Sequence, residues 1–74
     1  MMLTDQSEMP FGVHRCKAME KVPASYLLWL WEDEKLWESP ESHTVNQAAV
    51  YDYIVRNFNA LETDCPDKII THRP

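Results

Sequence analysis

The side chains able to do chemistry in this sequence fall into three groups. The first is metal-ligating and nucleophilic: His14 and Cys16 stand two apart, and His43, Cys65 and His72 follow singly. Zinc knuckles use paired ligands at Cys-x₂₋₄-Cys or His-x₃₋₅-His spacing. A single pair with one residue between suits strand neighbours better than a knuckle, so no metal site and no cofactor are expected. A Cys–His pair can also build a nucleophile, but that chemistry needs an oriented base and an oxyanion cradle. With a single glycine in the chain and the acids gathered at expected helix ends, no catalytic residue is assigned and the chain reads as a non-enzyme.

The second group is basic. His14, Arg15, Lys17 and Lys21 fall within eight residues, next to Phe11. A basic cluster beside an aromatic ring is what gripping a nucleic-acid strand requires. The third group is acidic. Glu32, Asp33, Glu34, Glu38 and Glu41 fall within ten residues, with Trp31 and Trp37 beside and among them. Carboxylates around aromatics suit a basic protein surface: rings anchor, and charges steer the encounter and set register. The formal net charge is −5, from 12 acidic and 7 basic residues. A strand binder usually carries the opposite balance. The expected partner-binding residues are therefore Trp31, Glu32, Asp33, Glu34, Trp37, Glu38 and Glu41. His14, Arg15, Lys17 and Lys21 form the alternative, nucleic-acid-binding set.

The elements that must position these groups are few. Met9 precedes Pro10 and is pushed to an extended conformation. Gly12 marks either a positive φ or a close packing contact. The segment Phe11 to Met19 reads as a turn or a small β-ribbon. Val22-Pro23 opens a first helix, with proline at the first helical position. That helix runs from Pro23 to Glu34 or Trp37. Tyr26, Trp29 and Leu30 share one face, and Leu27, Leu28 and Trp31 cover the rest. A helix apolar nearly all round must be covered on more than one side. Glu32, Asp33 and Glu34 sit at its C-terminal end, where the macrodipole disfavours negative charge. That placement indicates that the acids serve something other than the helix.

Glu38 to His43 is a loop by composition. Thr44-Val45-Asn46-Gln47 matches a capping box, so a second helix spans Val45 to Glu62. Its apolar stripe is Tyr51, Ile54, Phe58 and Leu61, flanked by Val50 and Val55. Cys65-Pro66 ends it. Residues 1–8, apart from Leu3, and 67–74 are expected to be mobile, with a short extended piece through Ile69-Ile70 as the alternative for the tail. The fold class expected is α+β and α-rich, a short N-terminal ribbon or turn packed on two helices.

Seventy-four residues allow one domain, 1–74. Its core can supply only about 3–5 kcal/mol of net stability, which leaves little room for a water-excluding cleft. The N-terminus, MMLTDQSEM, has no apolar run of a secretory leader, and nothing approaches a membrane span. The expectations are a cytoplasmic chain, no membrane partner, and Cys16 and Cys65 as free thiols.

Met9-Pro10-Phe11-Gly12, then Val22-Pro23, then Tyr26-Leu27-x-Trp29-Leu30 resembles a small bacterial and phage family known as quorum-sensing-regulated virulence factors, of unknown function. The likeness covers about residues 3–31. The family pattern has Lys-x-Lys-Gly where this chain has Val13-His14-Arg15-Cys16, so one cation is gone and a glycine has become Cys16. If that glycine held a positive φ, Cys16 bears a strain of about 1 kcal/mol or more. Similar modules occur as free small proteins, many in phages, and appended to DNA-processing exonucleases. The resemblance thus implies work near nucleic acids or the enzymes that handle them, and the weakened basic loop shifts weight towards a protein partner. The expected function is a non-enzymatic, phage-type accessory protein that binds and modulates or inhibits a host protein through the acidic aromatic surface. Direct nucleic-acid binding through residues 14–21, or a structural homodimer formed through the aromatic helix, are the alternatives.

Overall fold

The computed structural model describes residues 3–38 and 40–74, with only the backbone of Pro40. The expected mobile N-terminus falls partly on Met1 and Met2, and the expected loop partly on Ser39; these three lie outside the described residues. Three α-helices follow in order: α1 Ala24–Glu32, α2 Val45–Arg56 and α3 Phe58–Asp64. Single 3₁₀ turns precede α1 at Met19–Lys21 and α2 at Pro40–Ser42.

The expected β-ribbon does not form, and among the described residues there is no strand. One isolated antiparallel bridge joins Glu8 and Ala18. Its two arms lie side by side: the Met9 N–H donates to the Lys17 carbonyl (2.7 Å), Cys16 N–H to the Met9 carbonyl (2.9 Å) and Met19 N–H to the Ser7 carbonyl (2.8 Å). The ladder cannot propagate. Pro10 has no N–H to give it. Gly12 and Cys16 both take positive φ, +84° and +73°, so the chain between them closes as turns, Arg15 N–H to Gly12 carbonyl and Lys17 N–H to His14 carbonyl. The correct class is a small all-helical domain with an irregular N-terminal arm.

That arm covers the helices that two facing stripes alone would leave bare. Leu3, Met9, Met19 and Val22 join the same buried core as Leu27, Leu28, Leu30 and Trp31 of α1. Asp5 and Leu3 tie the arm to α2: the Tyr53 hydroxyl donates to Asp5 Oδ1 at 2.7 Å, and Arg56 donates to the Leu3 carbonyl at 2.6 Å. Burial is the main cause that raises the Tyr53 pKa above its usual 10, with the Asp5 hydrogen bond second.

α1 is shorter than expected. Pro23, with φ −59°, stands just before the first helical residue, and its carbonyl accepts from Tyr26 and Leu27. The helix ends at Glu32 because the chain reverses. Lys35 adopts a left-handed φ of +54°, and the Leu36 N–H returns to the Leu30 carbonyl at 3.1 Å. Leu36 is thereby turned into the core.

The capping box of α2 is formed in full: Gln47 N–H donates to Thr44 Oγ1 and Thr44 N–H to Gln47 Oε1. The single second helix expected is two. Asn57 leaves helical geometry (φ −114°, ψ 17°), and its side-chain amide donates to the Tyr53 carbonyl at 2.9 Å. Asparagine competes with the backbone for its own hydrogen bonds in this way. The apolar stripe nevertheless crosses the break. Ala49, Val50, Tyr53 and Ile54 on α2 are buried, as are Phe58 and Leu61 on α3. Tyr51 is half-buried.

Candidate functional site

Two surfaces gather the side chains singled out from the sequence. The first lies where the N-terminal arm meets α1. Positive φ and close approach coincide at Gly12: a Cβ there would stand 2.2 Å from the Tyr26 hydroxyl. The turn is thereby seated on Tyr26. His14 packs edge-on against the Tyr26 ring at 4.6 Å, and Trp29 stacks beside Tyr26 at 5.7 Å with 29° between planes. Trp29 is 40% exposed. A groove of about 380 Å³ opens here, lined by Phe11, Gly12, Tyr26, Trp29, Glu34 and Gln47 among others. Val13, at the loop tip, is exposed.

The basic residues have different surroundings. His14 is turned onto Tyr26. Arg15 lines a separate groove with Leu3, Met9, Pro10 and Cys16. Lys17 is exposed near the bridge, and Lys21 lies on the first 3₁₀ turn. Among the described residues, no group of three or more His, Cys, Asp or Glu side chains is placed to hold a metal ion. Cys16 and Cys65 are free thiols, the first exposed.

The second surface is the acidic end of α1, and the tail lies across it. Trp31 is 1% exposed, so it is core and not an anchor a partner can reach. Its ring packs on Tyr51 and Phe58, and its indole N–H donates to the His72 carbonyl. Glu32 accepts from the backbone N–H of Thr71 at 3.1 Å and from its hydroxyl. The hydroxyl bond is the main cause that lowers the Glu32 pKa. Asp33 pairs with Lys68 at 2.5 Å. Trp37 is half-buried and stacked face to face on His72, 3.7 Å between centroids. Arg73 pairs with Glu62. Of the expected partner-binding set, Glu34, Glu38 and Glu41 are exposed. Glu32, Asp33 and Trp37 are engaged by the chain itself.

Two things escaped the sequence. Spacing puts Trp29 on one face with Tyr26 and Leu30 and does not separate them, yet Leu30 is buried and Trp29 exposed; Glu32 and Asp33, three and four residues on, mark the polar side on which Trp29 lies. The seat of the tail is the other: Ile69-Ile70 suggests at most a short extended piece and says nothing of where it lies. No protein-family model, no curated protein and no solved structure matches the chain.

No helix among the described residues is long and apolar enough to cross a membrane.

Proposed function

We propose that this chain is a non-enzymatic binding module that engages a host protein, one that handles nucleic acid, through the Trp29–Tyr26 face. The observation that carries this reading is the different fate of the indoles. Trp31 is sealed in the core, whereas Trp29 stands 40% exposed on a stacked tyrosine, at the rim of a groove. A rigid aromatic pair held by its own stacking is the kind of anchor that dominates protein interfaces. Glu34 lines the groove, and Glu38 and Glu41 are exposed on the segment after α1. With a net charge of −5, they favour a partner whose rim is basic. The resemblance to phage-borne modules near DNA-processing enzymes supports the choice of target class.

The test is affinity capture from a host lysate with tagged protein, with and without nuclease. A partner that survives nuclease and is lost with Trp29→Ala supports the reading. Trp31 stays in place in that variant and reports an intact core. A second reading has its own observation: His14, Tyr26 and Trp29 form a ring series with Arg15 on the same arm, as in single-strand platforms. Arg15→Glu with Lys17→Glu separates the two. Loss of binding to a bare oligonucleotide, with affinity falling steeply as salt rises, selects the nucleic-acid reading. Unchanged capture of a protein selects the first.

A further inference from the structure

The segment Pro66 to Pro74 has neither helix nor strand, yet it crosses the acidic end of α1 on a series of specific contacts. Lys68 meets Asp33, the Thr71 N–H and hydroxyl meet Glu32, the His72 carbonyl accepts from Trp31, and the His72 ring covers Trp37. The attachment is light. Ile70 alone packs partly buried against the core; Ile69 is 79% exposed, and the Lys68–Asp33 and Arg73–Glu62 pairs are open to solvent. Pairs of that kind contribute little each. A groove of about 350 Å³ remains beneath Arg73 and Pro74, lined by Val55, Phe58 and Asn59. Segments with so few buried contacts open locally without unfolding the core.

We propose that the acidic end of α1 is a docking groove for an extended basic segment of a partner protein, and that the chain's own tail fills it in cis as a displaceable strap. This surface adjoins the Trp29 face at Glu34, but the tail's own contacts are to Trp31, Glu32, Asp33 and Trp37. The occupant follows from the chemistry the tail displays. Two of the contacts read only backbone, the N–H at 71 and the carbonyl at 72, and any extended chain offers both. The specific ones read a cation three residues before that N–H, a hydroxyl on the same residue as the N–H and a flat ring one residue after it. Arginine satisfies the last position as well as histidine does, since its guanidinium stacks on an indole. Electrostatics favour exchange over vacancy. Glu32 and Asp33, with Glu34 next in sequence, crowd the negative end of the helix dipole, so a departing basic strap leaves a place for another cationic segment. The Trp37 indole N–H, buried without a hydrogen-bond partner, offers an incoming carbonyl a donor that the tail leaves unused.

The test uses the full chain carrying Lys68→Glu and Arg73→Glu, which turns the strap against its own groove. The probe is a fluorescein-labelled peptide with the sequence of residues 66–74, followed by anisotropy, and Trp31 indole N–H exchange is read by NMR. A cis tail competes at an effective concentration of order millimolar. The peptide is therefore expected to bind the variant at least about tenfold tighter than wild type, and Trp31 N–H exchange is expected to speed up in the variant. A peptide with both cations changed to Glu should bind neither. Equal binding to variant and wild type overturns the proposal, as does a Trp31 N–H that stays as protected in the variant as in wild type. Sedimentation showing wild type paired through exchanged tails overturns it too, since the occupant is then a second copy. If the double reversal unfolds the chain, Lys68→Ala is used and a smaller gain of the same sign is expected. Trp29→Ala should leave peptide binding unchanged, so this groove can fail while the Trp29 face stands, and the reverse.

Discussion

Replacing Cys16 with glycine should stabilise this protein, and the size of the gain can be worked from the backbone. Cys16 sits at φ +73°, a region that costs an L-residue about 1–2 kcal/mol. Its side chain is exposed, so the substitution removes no core contact. Glycine's greater freedom in the unfolded chain takes back about 0.5–1 kcal/mol. The net gain lies between about 0 and 1.5 kcal/mol, centred on about 0.75, which in a domain of this size raises the Tm by roughly 3–6 °C at the centre of that range. The assay is thermal and urea unfolding by circular dichroism under reducing conditions, with Cys16→Ala as control. Alanine keeps the Cβ and so keeps the strain; it should lie within about 0.5 kcal/mol of wild type. Gly12→Ala supplies the opposite sign. It adds a Cβ at φ +84°, 2.2 Å from the Tyr26 hydroxyl, and should cost about 1–2 kcal/mol as Tyr26 is pushed off its stack. If Cys16→Gly and Cys16→Ala behave alike, or if glycine at 16 destabilises, the strain does not reside in the left-handed turn and the reasoning fails.

Phe58→Ala removes a buried ring that packs on Trp31; at about 3–5 kcal/mol it should unfold the domain at room temperature, and a variant with wild-type helicity would show the α3 face to be misassigned. The raised pKa of Tyr53 favours its neutral form in the fold, so the stability it contributes is complete below pH 10 and lost as pH climbs above 10; urea midpoints should fall across that range, and Tyr53→Phe should flatten the fall. The Glu32 carboxyl is shifted the other way, so its contribution is present above its ordinary value of 4.5 and lost as pH drops below it; Trp31 N–H exchange should quicken in acid before the far-ultraviolet signal changes. A chelator should leave the Tm of purified protein unchanged, whereas a structural zinc site would dominate the folding energy of so small a chain.

What the sequence disclosed follows a physical line between local and distant causes. The capping box at Thr44 was legible because its partners lie three residues apart and bond only to each other's backbone. Leu27, Leu30, Ile54 and Phe58, read as core from their spacing, are all buried. The ribbon fails because residues 7–9 and 16–19, which do make an antiparallel approach, are bounded by what stops it: Pro10, without an N–H, just after the first arm, and Cys16, a second left-handed residue that is not glycine, at the start of the other. The letter Cys does not itself announce φ +73°; the one pointer to it is the resemblance, in which a glycine stands at that position. The break at Asn57 was hidden by periodicity, since Ile54, Phe58 and Leu61 keep helical spacing across a residue whose amide takes the Tyr53 carbonyl.

The acids at the end of α1 show both sides of that line in one place. Their position was legible as a misfit, because carboxylates at a helix C-terminus oppose the dipole and a chain gains nothing locally from three in a row. What relieves the misfit was not legible. Lys68 lies 35 positions from Asp33, and Thr71 lies 39 from Glu32. No periodicity or cap connects residues so far apart, and Ile69-Ile70 between them reads only as a short extended piece. The structure joins the two halves of the problem: a helix end with surplus negative charge and a tail with Lys68 and Arg73 but no core of its own. Each lacks what the other carries. That is why the tail is seated without secondary structure, and why its seat is chemically suited to another extended chain bearing a cation, a hydroxyl and a flat ring at the same spacing.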